Sequence, residues 1–145
     1  MAQNTLTGAC VCRKITYRVD LPADKPFPKV ILCHCRDCKR YTGSGFSANI
    51  FVPKANLIWT TGTPKLYLTN SNRGFKTRRQ FCGDCGTPFT SQAEDQPDDI
   101  VIKSGTLDDE HRAACGELVQ EIFSDQKDGW VDSIGKVATR PGMME

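Results

Sequence analysis

Long apolar runs are missing from this 145-residue sequence, and none nears the ~18 residues that a membrane-crossing helix needs. A transmembrane helix is excluded. Charge of one sign is also scarce: 19 basic and 17 acidic side chains leave a net charge of +2, which gives no general attraction to nucleic acid or anionic lipid. No platform of interleaved basic and aromatic residues is visible either, so neither a nucleic-acid nor a membrane partner is expected. Internal repeats, linkers and low-complexity tracts are absent. Residues 1–145 read as one domain with a core over about 6–135, long enough to fold without disulfide staples.

Export signals are lacking too. Met1 to Thr7 has no basic start, no apolar stretch and no small-residue cleavage site, and no Asn-x-Ser/Thr acceptor occurs. The expectation is a cytoplasmic protein in a reducing compartment, where thiols persist unless a metal takes them.

Helical periodicity is thin. Residues 36–41 predict one helical turn and 128–137 another. By contrast, Ile15, Tyr17 and Val19 alternate with Thr16, Arg18 and Asp20, the period-2 pattern of a half-buried strand. Further strands are predicted over 30–32, 48–52, 57–61, 65–69, 75–81, 88–91, 100–103 and 118–123, separated by Gly, Pro and Asn turn signals. The fold class is mainly β, with few short helical turns.

What the chain has in excess is cysteine. Its eight cysteines fall as Cys10-x-Cys12, Cys33-x-Cys35-x-x-Cys38 and Cys82-x-x-Cys85, with Cys115 alone. Disulfide frameworks tie distant segments together, whereas seven of these eight sit two or three residues from another, which suits a chelate ring around one ion. On a strand, Cys10 and Cys12 would share a face. In a tight turn, a Cys-x-x-Cys pair curls both sulfurs toward one point.

The clustered thiols divide as four plus three. Phe81-Cys82-Gly83-Asp84-Cys85-Gly86 reads as a zinc knuckle that needs two more ligands, and Cys10 and Cys12 can provide them. A closed four-thiolate site of this kind is structural and contributes folding free energy directly. Cys33, Cys35 and Cys38 supply three ligands and leave a fourth position open, as catalytic zinc sites commonly do. Zinc among three thiolates carries a net negative charge, so it should be a poor activator of water. Soft donors favour a substrate thiol as fourth ligand, held there as thiolate. Cys115 has two readings: a ligand that closes the trio and removes the enzymatic interpretation, or an unligated thiol in a loop.

Neighbouring residues are candidates for substrate binding. Arg36, Lys39 and Arg40 interleave with the trio and either meet substrate carboxylates or form a solvated basic turn. Gly43-Ser44-Gly45-Phe46 either lets a substrate approach the backbone closely or is a plain turn. His34, on a strand between two ligands, would point away from the metal into the core or beside the site. Arg73, Lys76, Arg78 and Arg79 read as a solvated face or charged edge. His111, in a polar acidic loop, has no partner that the sequence reveals.

The order Gly8-x-Cys10-x-Cys12, Cys33-His34-Cys35-x-x-Cys38, Gly43-Ser44-Gly45-Phe46 and Phe81-Cys82-x-x-Cys85-Gly86 resembles the glutathione-dependent formaldehyde-activating enzyme family, also called CENP-V/GFA. Gly105-Thr106-Leu107-Asp108-Asp109, Glu121-Ile122-Phe123 and Trp130 are similar to that family's C-terminal region, so the resemblance covers roughly residues 6–135. It implies a single Mss4-like zinc-binding β domain with two zincs per chain. The structural zinc would sit on Cys10, Cys12, Cys82 and Cys85, and the substrate-facing one on Cys33, Cys35 and Cys38. It also implies carbon–sulfur lyase activity on a small-molecule thiol adduct, a glutathione conjugate such as S-hydroxymethylglutathione. Arg13 departs from the glycine that many members carry after the first cysteine pair. The competing reading is a non-catalytic, zinc-stabilised partner-binding module of the same fold. A homo-oligomer is compatible with either.

Overall fold

A computed structural model describes residues 3–71, 74–132 and 137–143. In chain order its strands are β1 (Gln3–Ala9), β2 (Thr16–Pro22), β3 (Val30–Cys33), β4 (Ser47–Pro53), β5 (Leu57–Thr61) and β6 (Lys65–Asn70). They continue as β7 (Lys76–Phe81), β8 (Pro88–Ala93), β9 (Asp99–Lys103), β10 (Leu118–Ile122) and β11 (Ala138–Thr139). Among the described residues these strands form two sheets: a three-stranded one ordered β1-β2-β5 and an eight-stranded one ordered β11-β10-β3-β4-β9-β8-β7-β6. Pairing is antiparallel throughout the first sheet. In the second, β10 runs parallel to both β3 and β11.

Side-chain alternation explains how the sheets stack. Successive strand residues face opposite sides, so Tyr17, Val19 and Leu21 of β2 turn inward together. They bury against Ile50 and Val52 of β4 and Ile100 and Ile102 of β9. Each such side chain contributes roughly 1.5–3 kcal/mol on burial. Tyr17, Trp59 and Phe89 meet edge to face in the same core, with ring centroids 5.1–5.8 Å apart. Gly8 of β1 is required beside them, because a Cβ there would run into the Tyr17 hydroxyl and the Thr106 carbonyl. Asn49 and Phe51 of β4, with Val101 and Lys103 of β9, emerge on the other face of the large sheet, where the cavity lies.

Two helices interrupt the strands: α1 (Arg36–Thr42) and α2 (Asp109–Ala114). The first was expected as one turn. It runs longer because Cys35 caps its start and Gly43, at φ 65°, closes its end with an N–H donated to the Lys39 carbonyl at 2.8 Å. The second replaces a loop. None of its side chains is buried, so it leaves no apolar period to read, while Asp109 and Glu110 in its first turn suit a helix N-terminus. β1 was also missed, since it is mostly polar and is held by its ladder with β2. The helical turn expected over 128–137 is not seen in 128–132, and 133–136 lie outside the described residues.

Candidate active site

The first cysteine cluster joins two tight turns. Cys10 and Cys12 follow β1 in a turn rather than on a strand, so the expected strand geometry is corrected. The Arg13 N–H donates to the Cys10 carbonyl at 3.0 Å, and Val11 between the thiols is 85% exposed. Arg13 closes this turn at φ 64°, a left-handed conformation that favours glycine. Cys82 and Cys85 follow β7 in the expected knuckle, where the Gly86 N–H donates to the Cys82 carbonyl at 2.9 Å and Gly86 itself takes φ 79°. The Val11 N–H donates to Thr87 Oγ1 across the two turns at 3.1 Å. All four sulfurs then lie within 4.8 Å of one another, with Cys10–Cys12 at 3.5 Å and Cys12–Cys82 at 3.8 Å. A tetrahedral ion with ~2.3 Å metal–sulfur bonds separates its ligands by about 3.8 Å, so the donor set fits zinc. The Thr87 hydroxyl beside Cys85, helped by backbone N–H groups, pulls that thiol down to about 5, which favours the ligating thiolate.

The second cluster is built by the β3–α1 junction. Cys33 ends β3, Cys35 caps α1 and accepts from the Cys38 N–H at 3.3 Å, and Cys38 lies in the first turn. Their sulfurs also lie within 4.8 Å of one another. Packing three thiols together sets their protons in competition. Hydrogen bonds from Cys33 and Cys35 hold the Cys38 thiol well below its ordinary range against the opposing effect of burial, and the positive charge of Lys103 acts in the same direction. Hydrogen bonds with Cys35 and Cys38, and burial, hold Cys33 well above it. No fourth thiol completes this cluster among the described residues. Cys115 is 1% exposed and packs in the core between the sheets, whereas Cys33 and Cys38 belong to a separate apolar cluster with Ile31 and Ile122. Thus Cys115 lies in the turn after α2 and outside both clusters, as the second of its two readings had it, but with its side chain buried in the core, and burial raises it.

The trio opens onto a cavity of about 140 Å³ whose walls include Phe51, Val101, Ile122 and Phe123. Of the residues singled out for substrate binding, Arg36 lines it. Lys39 is engaged elsewhere, donating to the Gln126 carbonyl at 2.7 Å and pairing with Asp128 at 3.0 Å. Arg40, Ser44, Gly45 and Phe46 are not among the lining residues. Gly45 lies against the Trp130 ring, and Phe46 packs edge-on against His34 at 5.9 Å. His34 lies one residue past β3 rather than on a strand; it is fully buried and meets the fully buried Glu121 at 2.9 Å. His111 lies on α2, where its Nδ1 accepts the Thr7 N–H at 2.8 Å and ties the helix to β1.

Sequence reasoning missed three cavity residues. Arg79, expected on a solvated face, is 7% exposed, and Lys103 is 5% exposed; both line the cavity with Asn49. Lys103 donates to Asn49 Oδ1 at 2.7 Å. One signal was present: Lys103 closes the otherwise apolar Ile100-Val101-Ile102 run of a central strand. Arg73 of the same basic stretch lies outside the described residues.

A family model described as glutathione-dependent formaldehyde-activating enzyme matches residues 5–126. No curated protein matches the chain. A crystal structure of a Rhodobacter sphaeroides protein, a structural-genomics target, superposes with a TM-score of 0.58 at 18% identity, covering 92% of this chain and 98% of that one. That likeness shows the fold alone.

Proposed function

Because the chain belongs to the glutathione-dependent formaldehyde-activating enzyme family, we propose that it is a zinc-dependent carbon–sulfur lyase acting on a thiol adduct, a glutathione conjugate such as S-hydroxymethylglutathione. The observation that carries this reading is the three-thiol cluster facing a cavity with no fourth thiol beside it among the described residues. Cys33, Cys35 and Cys38 would hold one zinc, and Cys10, Cys12, Cys82 and Cys85 a structural one. Bound at the trio, zinc would take up the substrate sulfur and stabilise it as thiolate.

The chain's own residues do the rest. Phe51, Val101 and Ile122 on the cavity wall would limit water around the reacting carbon, and Arg36 at the cavity would meet a charged end of the substrate. In the lyase direction the C–S bond breaks and its electron pair stays with sulfur. The hydroxyl proton is lost as the carbonyl forms. Reversal condenses thiol and aldehyde.

The test is metal analysis with a Cys35→Ser variant. Two zincs per chain are expected in the parent, with loss of turnover and retention of the fold in the variant. A single zinc, or full activity without the Cys35 thiol, would refute the reading. Cobalt substitution separates it from a closed binding module, since glutathione should shift the visible bands of an open site and leave those of a closed one unmoved.

A further inference from the structure

We propose that Arg79 and Lys103 form a carboxylate subsite in the cavity, so that the thiol partner of the reaction carries an acidic group near its sulfur. This rests on the thiol-adduct reading above and deepens it. Two cations more than nine-tenths buried are expensive to hold unless they are paired. Neither forms an ion pair with a carboxylate among the described residues. Both lie over the Tyr41 ring, the Arg79 guanidinium carbon at 4.9 Å and Lys103 Nζ at 5.6 Å from its centroid. The ring face offsets only part of their charge. Burial drives Lys103 toward its neutral form and Arg79 acts the same way, while the thiols of the trio oppose them.

The unused donors define the ligand. Arg79 gives Nε to Thr69 Oγ1 and one Nη1 hydrogen to Ser91 Oγ, each at 3.1 Å. The other Nη1 hydrogen and both Nη2 hydrogens are left, a fork that matches the two oxygens of a carboxylate. Lys103 spends one hydrogen on Asn49 Oδ1 and keeps the others. Asp37 and Asp99 also line the cavity, but they are partly or fully exposed and reach neither cation.

The probes are 3-mercaptopropionate, 2-mercaptoethanol and butyrate on the full chain. On cobalt-loaded protein, the shift of the visible bands should show 3-mercaptopropionate binding about 10-fold tighter than 2-mercaptoethanol, the worth of one charge-assisted pair. Arg79→Gln should bring that ratio close to one, and Lys103→Gln should reduce it. Arg79→Lys keeps the charge and should retain part of the preference. On zinc-loaded protein, butyrate should move the Arg79 Nε–H peak in proton–nitrogen correlation spectra. A peak that neither carboxylate moves would overturn the subsite. Cobalt bands that no thiol shifts, with butyrate still moving the Arg79 peak, would retire the lyase reading and leave the subsite standing.

Discussion

Replacing Cys12 and Cys85 together by serine tests what the four-thiol cluster is for. Both side chains are exposed, so serine leaves no cavity and strands no buried polar group. On the two-zinc reading, what is lost is a clip between the turn after β1 and the turn after β7. That clip closes a loop from residue 12 to residue 82. The chain-entropy relation for cross-links gives about 4 kcal/mol for a loop of about 70 residues. Applied to the trio, which spans only residues 33–38, the same relation gives about 2 kcal/mol. For a chain this size the larger loss lowers the melting temperature by about 8–16 °C. Thermal unfolding followed by circular dichroism, with zinc counted in each sample, measures both. The double variant should hold one zinc and melt well below Cys35→Ser. Stripping metal from both with a chelator should bring parent and variant to the same, still lower melting temperature. A double variant as stable as the parent, or a Cys35→Ser protein that falls just as far, would show that the long clip does not hold the fold.

Two further predictions concern single residues. Arg13→Gly should raise stability by about 0.5–1 kcal/mol in urea unfolding, because φ 64° costs an L-residue more than glycine's extra unfolded-state entropy. Glu121→Ala should cost about 2 kcal/mol, since it leaves His34 Nε2 buried without the acceptor it meets at 2.9 Å. The double replacement His34→Leu/Glu121→Leu should cost less than that single change, and equal losses would show that the pairing matters less than the volume.

Legibility tracked the physics each residue obeys. Cysteine spacing is a local property, so both clusters could be read directly, and the core strands announced themselves through period-2 apolar residues such as Ile100 and Ile102. β1 and α2 left no such trace, because a ladder and a set of exposed polar residues hold them. The walls of the cavity were hidden for another reason. Arg79 sits on β7 near an edge, where arginine is usually solvated, yet it is buried beside Thr69 of β6, Ser91 of β8 and Tyr41 of α1. Its role depends on residues ten to forty positions away, from Thr69 and Ser91 to Tyr41, and no local pattern encodes that. Basic residues close in sequence to the thiols drew attention instead, though Lys39 is engaged by Asp128.

That no fourth thiol joins the trio among the described residues follows from topology. The large sheet is a partition: Ile50, Val52, Ile100 and Ile102 face the small sheet, and Asn49, Phe51, Val101 and Lys103 face the cavity. Cys10, Cys82 and Cys115 all lie on the core side, so two of them serve the structural cluster and the third remains an isolated buried thiol. The trio comes from the β3–α1 junction and faces the cavity side, where the chain brings arginine and lysine but no further cysteine. Moving Cys115 to complete it would mean carrying a residue through a sheet whose interior is close-packed. Three thiols and two buried cations with unused donors therefore share one side of such a partition, where the proposed subsite takes sulfur and carboxylate together. Together they select a thiol that is also an acid.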